Sequence, residues 1–212
     1  MKLKALGLAV VVVLAVGAVV ASSALAAVEF RTNSAPAKIT AKQHVNNVAL
    51  TATWGALSCT TVSFVGEGAA SPTPSVELST ELSGCTVKGT PSVVDTNGCK
   101  FKLFAVGSVD VVCPVGSEIT VTSISGGVSK CIFHVPAQTG LGTVTYTNVG
   151  SGETEEITMH IDLTGIKYSQ TEGTGLGRCP TADNETGATL TGTATATGEG
   201  LSGITHVGIT VS

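Results

Sequence analysis

The chain has 212 residues, with 11 Lys and Arg against 15 Asp and Glu, a formal net charge of −4 at pH 7. This acidic balance argues against partners that need a basic patch, such as nucleic acids or anionic lipid surfaces. Only 12% of the residues are charged and 42% are hydrophobic, which is too apolar for a disordered chain and predicts a folded domain rich in β-structure.

The first 26 residues have the pattern of a secretory signal peptide. Lys2 and Lys4 give a positive start, an uncharged apolar run covers residues 5–20, and residues 24–26 offer the small side chains that a signal peptidase recognises. A retained membrane anchor is the alternative, but the run lies near the lower length limit for a span. We expect cleavage after Ala26, which removes two lysines and leaves nine basic against 15 acidic residues, a net charge of −6.

The first predicted strands follow an irregular lead-in at residues 28–36. Residues 37–45 and 47–54 have the composition of strands, and the second places Leu50, Ala52 and Trp54 on one face. Trp54, the single tryptophan, is predicted to be a core or half-buried anchor, with a stacking platform for a sugar as the alternative.

The next strands alternate clearly. In residues 76–82, Val, Leu or Thr alternates with Glu77, Ser79 and Glu81, the period that gives a strand one buried and one wet face. Asn97-Gly98 lies between two β-rich runs and predicts a type I′ hairpin within residues 92–104, because both residues tolerate positive φ.

Residues 107–168 carry the most regular pattern of the chain. Here Ile157, Met159, Ile161 and Leu163 alternate with Thr158, His160, Asp162 and Thr164, which is typical of an antiparallel sheet with one buried face. After a predicted loop at residues 169–187, threonine occupies every second position from Thr189 to Thr197, as expected for an exposed strand face.

Several short strands separated by turn signals predict one all-β domain at residues 27–212. We expect an antiparallel β-sandwich-like domain, or a partly open barrel, stapled by disulfides. Six cysteines follow the export signal, namely Cys59, Cys85, Cys99, Cys113, Cys131 and Cys179. An even number in an exported chain predicts that all of them pair. The sequence does not choose a connectivity; our working assignment joins Cys59 to Cys85 and Cys113 to Cys131, which leaves Cys99 with Cys179.

Five short segments resemble segments of known proteins: residues 107–114 (GSVDVVCP), 135–141 (VPAQTGL), 143–148 (TVTYTN), 163–168 (LTGIKY) and 97–99 (NGC). Each resembles a segment of an uncharacterised family of small exported, disulfide-containing β-proteins of high-GC Gram-positive bacteria. The similarity covers most of residues 27–212. It implies export and a β-domain, and it assigns no catalytic residue.

No catalytic residue is predicted from the sequence itself. A hydrolase needs a nucleophile, a base and an orienting group, and His44, His134, His160 and His206 lie in no recognisable motif. His160 and Asp162 are two apart on one strand face, so they are the best local pair for acid–base chemistry or metal binding. A solvated polar face is the favoured interpretation.

Metal and cofactor sites are not predicted either. The chain has no Cys-x-x-Cys and no His-x-His, and the acidic clusters at residues 153–156 and 183–185 do not match a calcium-loop spacing. We therefore expect a secreted extracellular or cell-envelope domain, structural or interacting, that is not an enzyme. Its partner would be an unknown protein or glycan, with no nucleic acid and no stable membrane span after cleavage. A carbohydrate-binding module using Trp54, Tyr146 and Tyr168 is the first alternative, and an extracellular hydrolase using His160 and Asp162 is the second.

Overall fold

The computed structural model of the chain describes residues 27–34, 36–44, 48–68, 71–125, 128–172, 182–200 and 206–212. The predicted signal peptide lies outside these ranges. Within them, regular structure is β-strand apart from one 3₁₀ turn at Gly152–Thr154. The same ranges contain no helix that is long and apolar enough to cross a membrane.

The strands are β1 Phe30–Thr32, β2 Ala37–Gln43, β3 Ala49–Ala52, β4 Gly55–Gly68, β5 Ser75–Val87, β6 Thr90–Asp95, β7 Lys100–Phe104, β8 Val109–Val112, β9 Ile119–Ser125, β10 Val128–Val135, β11 Gln138–Leu141, β12 Thr143–Val149, β13 Glu156–Glu172, β14 Ala182–Gly200 and β15 Ile209–Val211.

Most of these strands form one antiparallel sheet that closes on itself. From β5, hydrogen-bonded neighbours run through β6, β9, β10, β13, β14, β2 and β4 and return to β5. β3 also pairs with both β4 and β14, while β7, β8 and β11 continue from β5 as a wing. β1 and β15 form a separate two-stranded sheet. The predicted all-β, antiparallel fold class is confirmed.

The core lies inside the closed sheet, and local alternation decides which side chains enter it. In β13, Ile157, Met159, Ile161 and Leu163 are buried, whereas His160 and Asp162 are exposed, as predicted. The largest fully buried side chains include Phe133 of β10 and Leu78 of β5. Burial of such apolar side chains is the main favourable contribution to folding.

The Asn97-Gly98 turn is present, but the hairpin predicted around it is wrong. Asn97 and Gly98 have φ of 49° and 77°, and the Cys99 N–H donates to the Thr96 carbonyl at 2.8 Å. β6 then pairs with β9, whereas β7 pairs with β5 and β8. The turn therefore divides two strands that do not pair with each other, although both pair with β5, at its opposite ends. A two-residue hairpin forms instead at Lys88-Gly89, where φ is 48° and 74° and Val87 pairs with Thr90.

Two stretches predicted to be irregular contain strand. β1 falls within the lead-in at residues 28–36, where Phe30 is buried and pairs with Val211 of β15. β13 continues to Glu172 and β14 begins at Ala182, both inside the loop predicted for residues 169–187. β1 takes a partner at the other end of the sequence, which no local pattern can indicate.

The disulfide assignment is right for one pair and wrong for the other two. Cys59 and Cys85 lie directly opposite each other on β4 and β5 and are bonded. Cys99 is bonded to Cys113, because the antiparallel register of β7 and β8 ends at Lys100 opposite Val112 and brings the next residues together. The expected Cys113–Cys131 and Cys99–Cys179 bonds are therefore excluded. Cys131 is disulfide-bonded as well, and Cys179 lies outside the described residues.

Candidate functional site

A polar surface covers the outer side of four neighbouring strands. We call it the threonine face, and it consists of Thr143, Thr145 and Thr147 of β12, Thr158, His160 and Asp162 of β13, Thr191, Thr193, Thr195 and Thr197 of β14, and Thr40 and Lys42 of β2. The alternate positions of these strands, among them Val144, Met159 and Ala194, are buried. The threonine row predicted on the last long strand is thus part of a larger surface.

Strand register places these side chains in rows across the sheet. Thr147, Thr158, Thr195 and Lys42 form one row, and Thr145, His160 and Thr193 form the next. Neighbouring strands are about 4.8 Å apart and every second residue along a strand is about 6.7 Å from the last. The face is consequently a regular array of hydroxyl groups that both donate and accept hydrogen bonds.

His160 and Asp162 belong to this face and are not organised for catalysis. The nearest partner of the His160 ring is Thr193, whose Oγ1 lies 3.4 Å from Nδ1. In the described part of the chain, no group of three or more His, Cys, Asp or Glu side chains could hold a metal ion. The favoured interpretation of this pair as part of a polar face fits its surroundings.

The three aromatic side chains proposed for sugar stacking lie against the core. Trp54 stacks on Phe133 with ring centroids 4.1 Å apart and meets the edge of Tyr168 at 6.3 Å. Tyr168 is 3% exposed, and its hydroxyl lies 2.6 Å from Thr53 Oγ1. Tyr146 lies elsewhere, with its ring edge-on to Phe30 at 5.3 Å and its hydroxyl donating to the Phe104 carbonyl at 3.0 Å. They do not form a shared aromatic platform.

A histidine that sequence reasoning passed over has better-ordered partners. His134 of β10 has Nδ1 at 2.6 Å from Glu118 Oε1 and Nε2 at 3.0 Å from Thr171 Oγ1. An ionised carboxylate can only accept, so the contact with Glu118 places a proton on Nδ1; in the tautomer protonated there alone, Nε2 accepts from the Thr171 hydroxyl. This is the order of groups in a hydroxyl nucleophile, base and orienting acid.

The surroundings of His134 supply only part of what acyl transfer needs. A cleft of about 360 Å³ opens beside Glu118, with Lys167 and Ser169 in its wall, and neither His134 nor Thr171 is among its lining residues. Its donors to a developing oxyanion would come from side chains such as Lys167, since β10 lies in the backbone ladder between β9 and β13. No local sequence motif indicates this group, because Glu118, His134 and Thr171 are distant in the sequence and meet only through strand pairing.

The acidic clusters show no converging ligand set. Glu153 lies in the exposed 3₁₀ turn at Gly152–Thr154, and the carboxylates of Glu155 and Glu156 belong to no metal-binding group among the described residues. The cluster at residues 183–185 lies partly outside the described side chains.

These features define a class: an antiparallel β-domain with a closed sheet, cross-strand disulfides and a hydroxyl-rich outer face. Comparison of the chain with protein-family models, with curated proteins and with solved structures finds no match. The resemblance to exported proteins of high-GC Gram-positive bacteria stays a prediction.

Proposed function

We propose that the chain is an exported interaction domain that binds a neutral polysaccharide of the cell envelope through the threonine face. The single observation that carries this proposal is the array of hydroxyls on β12, β13, β14 and β2. Disulfide bonds support export, because such bonds persist in oxidising compartments. The signal-peptide pattern of residues 1–26 supports it too.

The chemistry of the face favours a glycan over a protein partner. Specific protein interfaces are usually centred on buried aromatic or aliphatic anchors, and the threonine face contains none. Its charged groups, Lys42 and Asp162, are of opposite sign, so the face does not select an ionic partner. A neutral chain of sugar hydroxyls offers the donors and acceptors that rows of threonine hydroxyls can match.

Binding to isolated envelope polysaccharide tests this proposal. We expect the Thr145→Arg, Thr191→Arg variant to lose about tenfold in affinity, equivalent to about 1.4 kcal/mol, because two long side chains interrupt the hydroxyl array. Ser83→Arg is the matched control, since Ser83 is an exposed hydroxyl residue of β5, a strand that pairs with none of the four strands of the face. Equal binding by the double variant and the wild type would contradict the proposal, as would the absence of binding by the wild type.

A hydrolase is the second candidate, and the ordered contacts of His134 with Glu118 and Thr171 favour it. Here His134 replaces His160 as the base. In this candidate reaction, the Thr171 hydroxyl attacks an ester carbonyl, its proton passes to His134 Nε2, and the alcohol leaves with that proton. Water then releases the acid and restores the hydroxyl.

Ester hydrolysis by three variants separates the two histidines. We expect His134→Ala and Thr171→Val to abolish any activity of the purified protein, and His160→Ala to leave it unchanged. Activity that survives Thr171→Val removes this assignment, and activity lost in His160→Ala with its fold intact returns it to His160 and Asp162.

A further inference from the structure

The closed part of the sheet encloses an apolar cavity of about 90 Å³. Its wall is built by inward-facing residues from most strands of the ring, and none of them is charged. Closed sheets of about eight strands have an interior that side chains either fill or leave open for one small ligand.

Exposure of the wall residues shows that the side chains do not fill this interior. Leu82 faces Val62 across β5 and β4, and Val94 faces Val121 across β6 and β9. Val62 and Val121 are at most 3% exposed, yet Leu82 and Val94 are only half-buried. Both residues line the cavity, so part of its apolar wall is not covered by other side chains.

One polar atom in this wall has no hydrogen-bond partner. Thr80 of β5 lies opposite Phe64 of β4 on the inward side, and its Oγ1 is buried without a partner. A buried hydroxyl that makes no hydrogen bond is unfavourable. Because its accessible surface is below 1 Å², this atom does not meet an occupant of the cavity, and the wall that the cavity presents is apolar.

We infer that the cavity binds a small uncharged apolar molecule. A charged or strongly polar ligand would lose its hydration without compensation in this wall. Apolar cavities of about 150 Å³ bind benzene and xenon, so the smaller cavity here suits xenon or a short hydrocarbon. The site faces inward and the threonine face outward, so this inference is independent of the proposed function.

Xenon and n-butane are suitable probes, because both are uncharged and apolar and they differ in size. Each is titrated into the protein while methyl resonances are followed by NMR. Saturable shifts are expected at Leu82, Val94 and Leu190, which line the cavity, and not at the exposed Val106 and Val115. The lack of a saturable shift with both probes, or shifts confined to exposed methyls, overturns the inference.

Variants of the wall test where the probes bind. Thr80→Val keeps the shape and removes only a hydroxyl that is shielded from the cavity, so it should leave the binding of both probes unchanged. Leu82→Phe fills the space and should abolish binding of both probes. Val94→Leu is a smaller filling change that serves if Leu82→Phe does not fold. Undiminished binding of xenon in a folded filling variant overturns the assigned site.

Discussion

Gly142, between β11 and β12, is a residue whose missing side chain the fold requires. Its φ is +39°, and an added Cβ would overlap the backbone of Asp162 and Leu163 in β13. Gly140 is the matched control, because its φ is +68° and a Cβ there would meet nothing within 4 Å. The two positions therefore share the backbone strain and differ in the overlap.

We expect Gly142→Ala to lower the free energy of unfolding by at least about 3 kcal/mol, combining strain with overpacking. Gly140→Ala should cost only about 1 kcal/mol, because strain acts there alone. Urea denaturation of both variants measures the difference. Equal losses would show that β12 and β13 do not approach as closely as described.

Tyr146 couples the fold to alkaline pH. Burial raises the pKa of its hydroxyl above the ordinary value of 10.0. As pH rises through about 10, the unfolded chain loses this proton first, so it binds fewer protons than the folded state and the free energy of unfolding falls. Tyr146→Phe should cost about 1 kcal/mol near pH 7, because the Phe104 carbonyl loses a donor.

The same substitution should become less harmful in alkali. Because Phe cannot ionise, the difference between wild type and variant should shrink between about pH 9 and about pH 11. Denaturation curves taken across that range check this. A difference that stays constant would mean that the Tyr146 hydroxyl is not shielded from water.

At the scale of elements, strand faces were predictable and strand partners were not. The faces of residues 76–82 and 157–163 followed from a period of two, which each strand carries in its own sequence. Pairing is set by contacts between distant segments, so the partners of β1, β6 and Cys113 had no local signal. The Lys88-Gly89 turn was not predicted, because Lys rarely adopts positive φ. The Asn97-Gly98 turn was predicted, because both of its residues adopt positive φ readily. Of the threonine face, the sequence predicted the threonine row of residues 189–197 but not which strands lie beside it. It did not predict the Glu118–His134–Thr171 contacts.

The two disulfides with both partners described each tie a pair of neighbouring strands, and their loops differ in length. Cys59 and Cys85 are 26 residues apart, and Cys99 and Cys113 are 14 apart. We expect replacing the shorter-loop pair by Ala to cost about 3 kcal/mol, and replacing the longer-loop pair to cost about 0.5 kcal/mol more. Urea denaturation of the two double variants measures this; the reverse order would contradict the loop argument.

Cys131 provides a separate prediction about connectivity. It is disulfide-bonded, and four of the six cysteines are already paired with each other. The one remaining cysteine in the chain is Cys179, so we expect a Cys131–Cys179 bond. Proteolysis without reduction, followed by mass mapping, should recover that cross-linked peptide. Dimers joined through Cys131 would be the contrary result.

At the scale of the whole molecule, the pairings between neighbouring strands, which we call seams, differ in length. β13 and β14 share ten paired positions, whereas β5 and β6 share two and β1 and β15 share three. Short seams with few buried contacts open more easily than long ones. We infer that the β1–β15 sheet is the part of the described structure that opens first, because it is separate from the closed sheet.

Asn148 joins that small sheet to the closed one. Its Nδ2 donates to the Val211 carbonyl at 2.8 Å, and its Oδ1 accepts from the Val211 N–H at 2.9 Å. Asn148→Ala removes both bonds and should lower the free energy of opening the β1–β15 sheet by about 1–2 kcal/mol. Because the bonds lie outside the closed sheet, hydrogen exchange should accelerate in β1 and β15 and stay unchanged in β13 and β14.

Asn148→Asp is the matched control, since it keeps an acceptor for the Val211 N–H and replaces the donor by a second acceptor facing the Val211 carbonyl. It should give an intermediate loss, with the same local pattern of exchange. Uniform acceleration over all strands would show that β1 and β15 open only with the whole molecule. The stability of the closed sheet would then depend on the β1–β15 sheet. The longest strand pairings would not by themselves account for the free energy of unfolding.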